Sequence, residues 1–203
     1  MMIVTIWGLP RAGKTTALAW GAACALRGKP ARLGRFPWGG IILGEFGPTY
    51  KRVFSNFPLR GCYKYNPWEL GRYDMSDSLI LCDETSLVFY SRDFNKNDRT
   101  ALDWLCLHGH ARCDVWFASQ GLQDCDKRIR NLTGQLVHVS KVGSRSVLTP
   151  VSPDELPDDP TKEVYYQAGF FQTRSLKRKR YYDMFDSFSM PELPEMMLEK
   201  WYE

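Results

Sequence analysis

Glycine, four open positions, glycine, lysine and a hydroxyl residue follow one another in Gly8-Leu9-Pro10-Arg11-Ala12-Gly13-Lys14-Thr15. This is the P-loop pattern, a cradle for the phosphates of a nucleotide. Gly8 and Gly13 let the backbone turn with its N–H groups facing inward, and a helix starting at Lys14 adds the positive end of its dipole. Pro10, Arg11, Ala12 and Thr16 complete the wrap, although Pro10 has no N–H to offer. Lys14 is expected on the β- and γ-phosphates of ATP, and the Thr15 hydroxyl on Mg²⁺. The flanks suit the motif: Ile3-Val4-Thr5-Ile6-Trp7 reads as a strand, and Thr16 to Leu26, rich in Ala and Leu and without Pro, reads as a helix.

A second stretch supplies the carboxylates such a cradle needs. Ser78-Leu79-Ile80-Leu81-Cys82-Asp83-Glu84 is an apolar run ending in two acids, which predicts a buried parallel strand with Asp83 and Glu84 at its C-terminal tip. Open α/β sheets bind ligands at that edge. Asp83 is expected to hold Mg²⁺, and Glu84 to polarise the water that attacks the γ-phosphate. Two adjacent acids are the pattern of P-loop ATPases with an extra strand inserted beside the P-loop strand, and not of kinases or small GTPases. Cys113 to Gln120 fits that inserted strand, with Gln120 as a γ-phosphate sensor; a cap or turn is the competing role. Arg128 and Arg130, in Asp126-Lys127-Arg128-Ile129-Arg130 on a predicted short helix, either line a solvated face or reach a neighbouring subunit's nucleotide. His108 and His110 lack the spacing of metal ligands and are expected to serve structure or charge sensing near the site.

Composition sets bounds. A chain of 203 residues, 44% hydrophobic and 25% charged, suits one α/β domain. Its net charge of +4 permits nucleic acid as a partner without announcing it. The six cysteines form no Cys-x-x-Cys pair, which fits a reduced cytosolic chain. No run approaches the roughly 18 apolar residues of a membrane span, and the start lacks the basic region of a signal peptide.

The remaining elements are punctuated by Gly and Pro. The first helix is expected to stop at Gly28-Lys29-Pro30. Ala31 to Pro67 reads as loops around one short strand, Ile41-Ile42-Leu43. Asn95 to Gly109 reads as a helix with Leu102, Leu105 and Cys106 on one face. Gln135 to Val142 and Ser146 to Val151 suggest a hairpin turning at Gly143, Ser152 to Thr161 a loop, and Glu163 to Thr173 a further strand. Arg174 to Arg180 is basic, beside Tyr181 and Tyr182. It reads as a solvated edge strand, with contact to DNA phosphates or acidic lipid as the alternative.

Taken together, the P-loop, Leu79 to Glu84, His108-x-His110 followed by Asp114 to Gln120, Asp126 to Arg130, and Tyr181-Tyr182 followed by Asp186-Ser187-Phe188 resemble the ATPase domain of the zonula-occludens-toxin (Zot) family. These are filamentous phage assembly proteins, similar more distantly to the DNA-pumping ATPases FtsK and HerA. The resemblance spans about residues 2 to 188. It implies an α/β P-loop NTPase with a mainly parallel sheet flanked by helices, of the additional-strand, catalytic-glutamate class. Residues 1–188 would form the ATPase domain and 189–203 a peripheral tail. It also implies a homo-oligomeric ring at the cytoplasmic face of the host inner membrane, extruding phage single-stranded DNA with coat and other assembly proteins as partners. Family members usually continue into a membrane helix that this sequence does not contain. A packaging or segregation ATPase and a non-hydrolysing ATP-binding switch are the alternatives; Glu84 argues against the switch.

Overall fold

The apolar run Ile3–Trp7 forms β1, fully buried inside a mixed sheet, because every side chain meets a neighbouring layer. The computed structural model describes residues 2–34, 40–44, 49–85, 99–121, 127–151 and 172–186. Helix α1 spans Lys14–Ala25, and all of it except Thr15 and Cys24 is buried. A helix apolar on nearly every side must be covered all round. The next strands are β2 (Ala31–Arg32), β3 (Ile42–Leu43), β4 (Arg52–Ser55), β5 (Tyr63–Lys64) and β6 (Ser78–Cys82). Helix α2 (Arg99–Leu107), β7 (Asp114–Ser119), helix α3 (Lys127–Leu132), β8 (Thr133–Val142), β9 (Arg145–Val151) and β10 (Arg174–Lys177) complete the order.

The main sheet has eight strands in the order β10-β9-β8-β1-β7-β6-β4-β5. Every pairing from β8 through β5 is parallel, and only β9 runs against the others. β7 therefore lies between β1 and β6, as expected of an inserted strand. One face packs on α1 through Val4, Ile6, Leu81, Trp116 and Val139. The other packs through Ile3, Ile80, Val115 and Phe117 on Leu102 and Leu105 of α2 and Ile129 of α3. Alternate residues of each strand thus serve opposite layers, the arrangement that near-continuous apolar strands require. The mainly parallel sheet with helices on both faces is the α/β P-loop NTPase fold.

Several expectations change. Within Ala31 to Pro67 the structure holds not one strand but β2 to β5, and β4 and β5 extend the main sheet. Their two to four residues are too short for a periodic signal. Cys106 is exposed, and Ala101 instead joins Leu102 and Leu105 in the core. The β8–β9 hairpin turns at Gly143 as expected, while β8 starts two residues early at Thr133. Arg174–Lys177 is an edge strand paired with β9. The expected loop at 152–161, nearly all of the strand at 163–173, and the tail at 189–203 lie outside the described residues.

Candidate functional site

The P-loop leaves β1 after Trp7 and enters α1 at Lys14, at the C-terminal edge of the parallel strands. Its backbone is moulded against β8 and β9. A Cβ on Gly8 would stand 2.2 Å from Val139 O, so only glycine lets β1 turn there. Gly13 adopts φ +102° beneath Ser146, whose Oγ would lie 2.0 Å from an added Cβ. Between them, Leu9-Pro10-Arg11-Ala12 forms a turn closed by the Ala12 N–H donating to Leu9 O at 3.1 Å. Pro10 suits the first central position of such a turn; Arg11, at φ +61°, occupies the second, where glycine is usual. Of the wrap, then, Pro10 has no N–H and Ala12 turns its own to Leu9. The first N–H groups of α1, at Lys14, Thr15 and Thr16, have no partner within the helix and no side-chain cap at Gly13.

Lys14 is buried, its Nζ donating to Gly8 O at 2.9 Å and Leu9 O at 3.3 Å. The ammonium bridges the loop and stands within it. Thr15 Oγ1 donates to Asp83 Oδ2 at 2.6 Å, joining the loop to the tip of β6. Burial is the largest influence on the Asp83 carboxyl and pushes it above the usual carboxylate range, with the Thr15 hydrogen bond pulling the other way and the charge of Glu84 adding to the rise.

Glu84 has φ +50°, a left-handed conformation costly for a side chain with a Cβ. Its N–H donates to Asp83 Oδ1 at 3.0 Å, and its carboxylate Oε2 stands 3.5 Å from Gln120 Nε2. Gln120 follows directly on β7, so the inserted strand brings the amide beside the second acid. Thr85 Oγ1 donates to Ala118 O at 3.0 Å and ties the two tips together. Sheet topology thus brings Lys14, Thr15, Asp83, Glu84 and Gln120 to one edge.

One member of this group escaped the sequence reading. Asn56 follows β4, and its side-chain amide grips the backbone of Asp83 at both ends: Oδ1 accepts the Asp83 N–H at 2.8 Å and Nδ2 donates to Asp83 O at 3.0 Å. An amide matches one donor and one acceptor in this way, whereas Asp or Leu cannot. The missing signal was β4 itself, since only a strand beside β6 makes Asn56 a neighbour of Asp83.

Arg128 is exposed and Arg130 half-buried on α3. That helix ends at Leu132, and the next residue, Thr133, opens β8 and pairs with Ile3 at the opposite end of β1 from the P-loop. Arg130 is therefore remote from its own chain's cradle. His108 is also far from it. The Cys113 N–H donates to His108 O at the start of β7, and the buried ring shares a hydrogen bond between Nδ1 and Leu105 O at 2.6 Å. Burial lowers its pKa, which favours the neutral ring. Of the two expected roles, structure or charge sensing near the site, only the structural one suits His108, because the residues preceding a parallel strand lie at the edge opposite its tip.

Hard oxygen donors from Thr15 and Asp83 meeting at the strand edge fit Mg²⁺, which takes one or two protein carboxylates and completes its shell with water and phosphate oxygens. Among the described residues no helix is long and apolar enough to cross a membrane.

Comparison with known proteins follows the same lines. The family model described as Zonular occludens toxin (Zot) matches residues 56–167. The N-terminal domain of zonular occludens toxin from Neisseria meningitidis has a similar fold, with 21% identity and a TM-score of 0.57 over 92% of this chain and 100% of that one. The genome packaging NTPase B204 from Sulfolobus turreted icosahedral virus 2 matches at 10% identity and a TM-score of 0.42, over 74% of this chain and 91% of its own. The flagellar accessory protein FlaH from Methanocaldococcus jannaschii matches at 9% and 0.42, over 74% and 77%. No curated protein matches the sequence. The matched residues 56–167 make up more than half of the chain and contain the Asp83-Glu84 tip and Gln120, and the chain belongs to the zonular occludens toxin (Zot) family.

Proposed function

We propose that this chain hydrolyses ATP and uses the energy to drive filamentous phage assembly, extruding single-stranded phage DNA through the host inner membrane. The carrying observation is the joining of the P-loop to the acidic strand tip through Thr15 and Asp83, with Glu84 and Gln120 beside them. In this reading residues Gly8 to Thr16 wrap the phosphates and Lys14 turns from Gly8 O and Leu9 O to the β- and γ-phosphates. Thr15 and Asp83 hold Mg²⁺, which neutralises charge on the phosphate oxygens. Glu84 takes the proton of the attacking water as its oxygen bonds to the γ-phosphorus and the bond to the β,γ-bridging oxygen breaks, releasing ADP and phosphate. Gln120 orients that water, and Arg130 serves the nucleotide of the next subunit in a homo-oligomeric ring. Residues 1–188 form the ATPase domain and 189–203 a peripheral tail. The motor works from the cytoplasmic face of the membrane, beside coat and other assembly proteins.

The test is steady-state ATPase activity with Mg²⁺, alone and with single- or double-stranded DNA. Stimulation by single strands supports extrusion. Stimulation by duplex alone favours a packaging or segregation motor of the FtsK or HerA kind, and tight ATP binding without turnover favours a nucleotide-dependent scaffold.

A further inference from the structure

The basic run at 174–180 divides its side chains. Arg174, Lys177, Lys179 and Arg180 are exposed, whereas Arg178 is half-buried and folds back onto the P-loop. Its Nη1 donates to Arg11 O at 3.3 Å and its Nη2 to Gly143 O at 2.5 Å. The Arg178 stem lies against the loop, with Cδ 3.4 Å from where a Cβ on Gly13 would stand, and its Nε is buried without a partner. On the next peptide, buried Ser146 donates from Oγ to Ala12 O at 2.7 Å. Two consecutive carbonyls of the cradle are thus held from outside by side chains more than 130 residues away along the chain.

The held segment is where the loop is strained. Arg11 is an arginine at φ +61°, and such a conformation persists only where the surroundings over-determine it. A guanidinium suits the task because its planar fork can donate to two separate carbonyls at once, here one in the P-loop and one in the β8–β9 turn. From this geometry we propose that Arg178 is a positioning residue of the nucleotide site. It braces the Leu9–Ala12 turn so that the cradle is formed before phosphate arrives, and Ser146 is its second prop. The inference rests on the nucleotide reading above but concerns the loop's own conformation. A ligand that displaces the exposed neighbours Lys177, Lys179 or Arg180 would therefore pull on the P-loop.

Two measurements test this on the full chain. The first, without nucleotide, is hydrogen exchange of the Ala12 amide, whose bond to Leu9 closes the turn. It should quicken roughly tenfold or more in Arg178→Ala, recover in part in Arg178→Lys, and stay at the parent rate in Arg145→Ala, a change to an exposed arginine on the neighbouring strand. The second is the dissociation constant of ATP with Mg²⁺, expected to rise roughly ten- to a hundredfold in Arg178→Ala, the scale of losing a charge-assisted hydrogen bond. Unchanged Ala12 exchange in Arg178→Ala overturns the brace, whether or not ATP affinity falls. Failure of Arg178→Lys to recover either property even in part also counts against it, since a lysine can still reach one carbonyl. Failure of the parent to bind ATP would instead overturn the nucleotide reading, leaving the brace to be judged by exchange alone.

Discussion

The Thr15 hydroxyl stands 2.6 Å from the Asp83 carboxylate across 68 positions of sequence, with the first residue on α1 and the second at the tip of β6. β7 separates β1 from β6, so this contact spans the inserted strand. Breaking it separates the phosphate cradle from the acids that would act on its contents.

Lys14→Ala is expected to abolish ATP binding, measured by titration with Mg²⁺ present. The structure adds a stability effect to the expected binding loss. Lys14 is buried and bridges Gly8 O and Leu9 O, so the variant should also unfold more easily, by on the order of 1 kcal/mol. Calorimetry separates the two, and a folded variant with parental affinity would remove the P-loop assignment.

For Glu84 the replacement to make first is Gln. It should bind ATP and Mg²⁺ about as well as the parent and turn over roughly 10²- to 10⁴-fold more slowly, the usual worth of a general base. A second comparison uses the backbone: at φ +50°, Glu84→Gly should be more stable than Glu84→Ala by about 1 kcal/mol, although both lack the carboxylate. If binding is lost along with turnover in Glu84→Gln, the residue is a metal ligand or a structural support.

Asp83 gives a pH signature. Its folded pKa lies above its ordinary value because burial disfavours the charge. The folded state therefore holds this proton more tightly than the unfolded state, and raising the pH from the ordinary carboxylate value through the folded one subtracts stability. Without Mg²⁺, Asp83→Asn should be more stable than the parent at neutral pH, and the difference should close as the pH falls toward the ordinary value. Thermal unfolding of both proteins from pH 4 to 8, with chelator present, reads this directly. A parent that outlasts Asp83→Asn at neutral pH would mean that the Thr15 hydrogen bond outweighs burial.

Arg130 lies near the edge of the sheet opposite its own P-loop, so any action on nucleotide must be in trans. Dilution should then lower specific activity, and Arg130→Ala should lose roughly 10³- to 10⁵-fold in turnover. Mixing that variant with Lys14→Ala should restore activity, because the second chain lends its arginine to ATP bound by the first. Mixed oligomers that stay inactive would return Arg130 to the solvated-face reading.

Much of the site was legible because its chemistry is local. The P-loop needs a fixed spacing of glycine, lysine and threonine after a strand, and the acids need an apolar run that ends in them; both signals lie within a few consecutive residues. The strand at β7 and the hairpin at Gly143 followed from similarly continuous patterns, whereas the place of β7 between β1 and β6 is a matter of strand order. What the tertiary structure decided depends on neighbours distant in sequence. Strands of two to four residues carry too little periodicity to be read, so β4, and with it the grip of Asn56 on Asp83, emerged only once β6 supplied a pairing edge. Arg178 lies in a run whose charges look alike on paper; the register of β10 against β9 and the turn that follows direct one of them to the P-loop and leave its neighbours exposed. His108 stands only six residues before Asp114, yet the direction of a parallel strand sets it at the edge away from the acids. The sequence determined which groups are present to do chemistry, and strand order and direction determined which of them meet.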